Sequence, residues 1–244
     1  MKAMILAAGR GERMRPLTDT FPKPMLKVAG IPLIEHHIIK LAKAGITDIV
    51  INHAWLGHKI EDYLKDGSQW GVSISYSPET NGALETAGGI IKALPLLLGT
   101  KGSDNGESDI NAPFIVVNGD VYTDFDFSNL PTLLPNCLAN IWLVPNPAHN
   151  KKGDFCLVNN NVVNLPVEQT SEELIPSFTF SGIGLYRSGF FTAQDNDKIL
   201  PLGPLLKQYV DESKVSGSIM TNTWTDVGTP ERLNELNQQV AKYK

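Results

Sequence analysis

A chain of 244 residues with 42% hydrophobic and 19% charged side chains is too apolar for disorder and long enough to build one sizeable α/β core. Its net charge of −5 argues against wholesale binding to nucleic acid, and no run approaches the ~20 apolar residues of a membrane span. Cys137 and Cys156 stand in no metal-ligand spacing, and free thiols suit a reducing compartment. In "MKAMILAAG" the apolar stretch is too short for a signal peptide, and arginines follow where a cleavage site would stand. A soluble cytoplasmic enzyme or binding protein is the expectation.

Lys2 to Ala7 reads as a buried strand leading into a glycine-rich loop. "IPLIEHHIIKLAKAG" predicts a helix: Pro32 suits its first turn, Ile34, Ile38 and Leu41 recur at helical spacing, and Gly45 stops it. A strand over 46–52, a short helix through "HKIEDYLKDG", a strand over 72–77 and a helix from Leu84 to Leu98 follow. The polar stretch 100–112 reads as a loop, and "PFIVVNGD" as a strand covered on both faces. Strands alternating with helices predict a parallel sheet flanked by helices. After Asp120 the rhythm changes to short apolar runs near 139–144, 155–165 and 177–187, read as added, antiparallel strands forming a lobe over the first half. A helix near 203–211, a strand near 222–225 and a helix from Pro230 complete the pattern. With no repeat and no flexible linker, the expectation is one α/β domain of residues about 1–125 and 214–244 carrying an inserted lobe of about 126–213.

The first 27 residues carry a local charge of +4 in an acidic chain. Their loop, Gly9-Arg10-Gly11-Glu12-Arg13-Met14, fails the dinucleotide fingerprint because Met14 stands where the third glycine belongs, and it contains no Walker sequence. What remains is a turn rich in free N–H groups beside Arg10, Arg13 and Lys23, the last held between Pro22 and Pro24. Such a nest with fixed cations suits a polyphosphate, although the same glycines could simply make a tight turn under a solvated cationic face.

Two aspartates stand at strand ends. Asp120 closes "VVNGD" at the edge where open α/β sheets place ligands, and Asp226 sits in "TWTDVGTPERL" ahead of a helix that Thr229 can cap. Read singly, each is a turn or cap residue. Read with the loop, they suit Mg²⁺, which takes a few carboxylates together with phosphates and water.

Leu6 to Met14 with Pro16-Leu17-Thr18 and Pro22-Lys23-Pro24 resembles the signature of sugar-1-phosphate nucleotidyltransferases. The resemblance implies a Rossmann-like, mainly parallel sheet with a smaller sugar-binding lobe. It implies that Ala7, Ala8 and Gly9 lie against the base, that Gly11, Glu12 and Arg13 hold the triphosphate, and that Lys23 meets the α-phosphate. It implies Mg²⁺ on Asp120 and Asp226, Asn118 as a nucleotide contact, and Glu79 with Gly88 in the base pocket. Arg13, Lys23 and Asp120 are then the catalytic group.

"INHAWLGHKIEDYL", "ISYSPE", "VVNGDVYTDFDF", "GDFCLV", "FSGI" and "WTDVGT" resemble a subgroup, the bacterial N-acetylmuramate α-1-phosphate uridylyltransferases of cell-wall (peptidoglycan) recycling. That implies UTP and N-acetylmuramic acid 1-phosphate as substrates, with Gly153, Asp154, Ser181 and Gly182 facing the sugar. Many relatives carry Glu-Lys-Pro in the lobe. Here "NLPVEQTSEE" offers Glu168 for the glutamate and nothing for the lysine, leaving Lys151 and Lys152 as candidates for the sugar phosphate. Two other readings stand beside this one: a glucose-1-phosphate or mannose-1-phosphate nucleotidyltransferase using dTTP, UTP or GTP, and a non-catalytic nucleotide-sugar sensor. A monomer and a small homo-oligomer are equally open.

Overall fold

The computed structural model describes residues 1–99, 112–166, 175–192 and 198–242. Lys2–Ala7 forms β1, whose side chains enter two cores: Met4 packs on one face, Ala3, Ile5 and Ala7 on the other. The glycine loop follows, carrying the short helix α1 (Leu17–Thr20), and then a small hairpin of β2 (Lys27–Val28) and β3 (Ile31–Pro32). Helix α2 (Leu33–Lys43) opens after Pro32, buries Leu33, Ile34, His37, Ile38 and Leu41 on one face, and ends before Gly45. Then β4 (Asp48–His53), α3 (Gly57–Leu64), β5 (Ser73–Pro78), α4 (Glu85–Leu98) and β6 (Phe114–Asn118) complete the alternation that the sequence predicts.

Beyond Asp120 come β7 (Val121–Thr123), β8 (Ala139–Val144), β9 (Phe155–Val158), β10 (Asn161–Asn164), β11 (Ser177–Tyr186), α5 (Leu202–Asp211), β12 (Val215–Ile219), β13 (Trp224–Asp226) and α6 (Pro230–Ala241). Nine strands form one sheet in the order β5-β4-β1-β6-β11-β8-β12-β10-β9. The first four are parallel, and β11 enters antiparallel between β6 and β8. The added strands therefore continue the same sheet sideways from β6. Strand β12 has no counterpart among the expected elements: "VSGSI" offers only Val215 and Ile219 as large apolar residues about a central glycine, and its parallel pairing with β8 joins Val215 to Ala139, far apart in the chain. The strand expected over 222–225 begins instead at Trp224 and pairs with β7.

Two apolar layers cover the sheet, one under α4 and α5, the other under α2 and α3. A third, smaller cluster joins Met14, Leu26, Val28 and Leu33 to Val227 and Leu236, so that α6 buttresses the glycine loop and its hairpin. Asn237 adds two polar ties there, accepting from the Ala29 N–H at 2.8 Å and donating to the Lys27 carbonyl at 3.1 Å. Thr229 caps α6 as the sequence predicts, its hydroxyl accepting from the Arg232 N–H at 3.4 Å. Among the described residues no helix is long and apolar enough to cross a membrane.

Candidate active site

Parallel strands β1 and β6 end side by side, and the chain must turn sharply after each. Gly119 makes this possible: a Cβ there would lie 2.6 Å from the Leu6 carbonyl oxygen, to which the Gly119 N–H donates at 2.9 Å. A cleft of about 350 Å³ opens at these strand ends, lined by Ala7, Ala8, Gly9, Lys23, Asn118 and Asp120 among others. This is the edge at which open α/β sheets bind ligands.

Gly11 takes φ +67°, and a Cβ there would crowd Lys23 Cβ and Thr18 Cγ2 at 3.1 Å, so glycine lets the loop fold back over the lysine. Lys23 is only 8% exposed and its Nζ lies 2.5 Å from Asp120 Oδ2. The ammonium has two more protons to donate, and the cleft is where they can find acceptors.

The arginines divide. Arg10 lines the cleft, yet its guanidinium is committed: it donates to the Thr18 carbonyl at 2.6 Å and to Asp19 at 3.0 Å, and its carbon lies 3.8 Å from the Trp55 ring centroid. Trp55 Nε1 donates to the same Thr18 carbonyl at 2.9 Å. Trp55 thus ties the loop to the turn after β4. Arg15 pairs with Glu12 at 3.0 Å, while Arg13 and Glu12 are exposed and lie outside the cleft lining.

Glu79 and Gly88 also lie behind the cleft. Glu79 is 3% exposed; its carboxylate accepts from Asn52 Nδ2 and from the Leu84 N–H, both at 2.7 Å. Asn52 Oδ1 accepts in turn from the Ala7 N–H at 2.9 Å, fixing the end of β1. Gly88 lets the segment at Lys198–Leu200 approach α4, since a Cβ there would meet the Lys198 carbonyl at 2.4 Å. Asn52, which lines the cleft, was absent from the expected set. Its signal in the sequence is a lone amide at the end of the apolar run "DIVIN".

Asn118 stands where two clefts meet. Between Phe180 and Gly184 the β8–β11 register shifts, and Gly182, at φ +79°, leaves space that a Cβ would close to 2.6 Å from Asn118 Nδ2. The second cleft, about 560 Å³, shares Glu85, Thr86 and Asn118 with the first and includes Gly153 and Asp154. Asp154 Oδ2 accepts from the Phe180 N–H at 2.8 Å and Oδ1 from Asn150 at 3.1 Å, so this carboxylate braces the turn. Ser181 is fully buried, its carbonyl accepting from Trp224 Nε1 at 2.8 Å. Ser181 and Gly182 form the back of Asn118 rather than a wall of the cleft. Glu168 lies outside the described residues.

Asp120 and Asp226 are neighbours in backbone only. The Val227 N–H donates to the Asp120 carbonyl at 2.9 Å, and Asp226 pairs with Val121 across β13 and β7. The Asp226 carboxylate lines a separate cleft, gripped by Arg232 at 2.6 Å on each oxygen, with His149 Nε2 at 3.0 Å. Among the described residues no group of three or more His, Cys, Asp or Glu is arranged to hold a metal ion. As arranged the two do not form one metal site: Asp120 faces the first cleft, whereas the Asp226 carboxylate is taken up by Arg232 and His149 in another.

Behind Asp120, His37 of α2 is fully buried with Nε2 2.7 Å from the Val121 carbonyl, so the ring is neutral and donates from Nε2. Burial, and then the charge of Lys40, lower its pKa from 6.5 to about 4. The unfolded chain therefore binds this proton more readily, and stability falls as pH drops from about 6.5 toward about 4. Between pH 7 and pH 5 the loss from His37 alone should be about 2 kcal/mol. Urea unfolding at the two pH values checks it: His37→Gln should shrink the difference by that amount, and an unchanged difference would put the titration elsewhere.

Comparison with known proteins agrees with this geometry. The profile of the family described as "Nucleotidyl transferase" matches residues 2–243. The N-acetylmuramate alpha-1-phosphate uridylyltransferase of Neisseria meningitidis serogroup B is 50% identical over 248 residues, covering all of both chains. The UTP–glucose-1-phosphate uridylyltransferase of a Synechocystis strain is 32% identical over 200 residues, which span 82% of this chain and 43% of that one. A Bacillus anthracis crystal structure, provisionally assigned as a glucose-1-phosphate thymidylyltransferase, superposes with a TM-score of 0.77 at 23% identity over 98% of this chain and 94% of that one, which establishes the shared fold. A glycine loop folded over a buried lysine, a strand-end aspartate beside it and a profile match along almost the whole sequence have one common reading: the chain belongs to the nucleotidyl transferase family.

Proposed function

We infer that the chain transfers UMP from UTP to N-acetylmuramic acid α-1-phosphate, releasing pyrophosphate and forming UDP-N-acetylmuramic acid. The observation that carries this reading is the Lys23–Asp120 pair at the bottom of a cleft that opens, past Asn118, into a second and larger one. The full-length likeness to the Neisseria enzyme supports the choice of base and sugar. A phosphate oxygen of the sugar attacks the α-phosphorus, and pyrophosphate leaves. A phosphate monoester is already anionic at neutral pH, so the protein's task is to offset repulsion between two anions. Lys23 donates to the α-phosphate oxygens, the N–H groups of the glycine loop take the rest of the triphosphate, and Asn118 orients the nucleotide against the sugar. Mg²⁺, when bound, supplies further charge stabilisation; Asp120 is placed to hold it, and Asp226 would have to leave Arg232 to join. A cytoplasmic role in recycling of the cell wall is part of this proposal, as substrates of this kind would require.

Pyrophosphate release with Mg²⁺ should be fastest with UTP and N-acetylmuramic acid 1-phosphate, measured against dTTP, GTP, CTP and ATP and against N-acetylglucosamine 1-phosphate and glucose 1-phosphate. A different preferred pair would keep nucleotidyl transfer and replace the substrates. Binding of nucleotide without release under any pairing would make the protein a sensor on this fold.

A further inference from the structure

The second cleft combines apolar walls with a cationic rim. Leu165, Phe180, Leu202 and Leu206 give it apolar walls, and Lys152 and Lys207, both exposed, stand on its rim. Some lysines are engaged, Lys23 with Asp120, Lys59 with the Thr20 carbonyl and Lys214 with Glu212, while others are solvated; Lys152 and Lys207 are set apart by standing on a cleft. Lys152 and Lys207 have no side-chain hydrogen bond or ion pair among the described residues, in a chain that carries an excess of acid. Asp154, two residues from Lys152, makes no ion pair with either, its carboxylate being turned to the Phe180 N–H and Asn150.

Ammonium groups without a partner among the described residues, set over an apolar wall, suit a ligand with a carboxylate next to a methyl group. N-acetylmuramic acid differs from N-acetylglucosamine by one substituent, a lactyl ether on the third carbon, which consists of a methyl and a carboxylate. The phosphate end of the sugar has to reach the nucleotide, and Asn118 is where the clefts join. Lys207 lies five residues beyond Leu202 in α5, about 7.5 Å further along the helix axis, and lines the same cleft.

Resting on the uridylyltransferase reading, we propose that Lys207, assisted by Lys152 in the turn before β9, binds the lactyl carboxylate, while Leu165 and Leu206 take its methyl. These residues then set the preference for the acidic sugar over its neutral parent. The charged contact should be worth about 10- to 100-fold in kcat/KM.

Steady-state kinetics with UTP test this on N-acetylmuramic acid 1-phosphate, N-acetylglucosamine 1-phosphate and the methylamide of the lactyl carboxyl group. Lys207→Met and the double variant with Lys152→Met should raise KM for the acidic sugar about 10- to 100-fold with little change in kcat. The other two substrates should shift less than twofold, so that the preference collapses. Equal losses on all three would assign the lysines to the sugar phosphate, and no loss on any would leave them solvated; either result overturns the proposal. Wild-type protein that uses both sugars without preference would also overturn it while leaving uridylyl transfer intact. Wild-type protein inactive on both would remove the uridylyltransferase reading itself.

Discussion

Lys23→Ala should lower turnover by ~10²–10³-fold, equivalent to roughly 3–4 kcal/mol, the usual cost of deleting one preorganised donor to charge that develops in a reaction. The magnitude follows from how Lys23 is held. Pro22 and Pro24 stiffen the chain on both sides, Gly11 folds over the side chain, and Asp120 fixes the ammonium at 2.5 Å. No other described cation lining the cleft is free to replace it, because Arg10 is spent on Thr18, Asp19 and Trp55. Asp120 is about one-third exposed, so the carboxylate left behind can be hydrated and the variant should stay folded. Turnover with saturating substrates, alongside a thermal midpoint, separates the two effects. A variant that retains near-normal kcat would take Lys23 out of the reaction.

Glu79→Ala should act on stability instead. The substitution strands Asn52 Nδ2 and the Leu84 N–H, two buried donors whose 2.7 Å acceptor disappears. At 1–3 kcal/mol for each unsatisfied group, a loss of about 3 kcal/mol is expected. In a chain of this size that corresponds to a fall in Tm of roughly 6–12 °C. Asn52 would then lose its orientation, and with it the anchor of the Ala7 N–H at the mouth of the cleft. A Tm within 2 °C of wild type, together with a large rise in KM for the nucleotide, would return Glu79 to the base pocket, where the family resemblance had put it.

The contrast between these residues shows which parts of the molecule can be read in one dimension. Helix α2 announces itself because burial repeats with the helical period between Pro32 and Gly45, and β1 and α4 because their apolar runs are nearly continuous and a glycine follows. Lys23 and Asp120 are legible for a related reason: a cation pinned by prolines and a carboxylate at the end of an apolar strand are local patterns. Glu79 carries no such mark, since its role depends on an amide 27 residues earlier in β4. Arg10 looks like a phosphate ligand until Trp55, 45 residues on, is seen to hold it, and Asp226 looks free until α6 brings Arg232 against it. Strand β12 was missed because only its neighbours in the sheet make it a strand.

The cluster of Met14, Leu26, Val28 and Leu33 with Val227 and Leu236 has a consequence for biosynthesis. Translation delivers the glycine loop more than two hundred residues before the helix that backs it. Strand β1 can find β4 and β6 early, but the apolar underside of the loop stays uncovered on the ribosome until α6 emerges. A nascent chain halted before residue 227 should therefore expose this surface to chaperones and bind nucleotide poorly, so that the capacity to bind appears with α6 rather than growing as the sheet assembles.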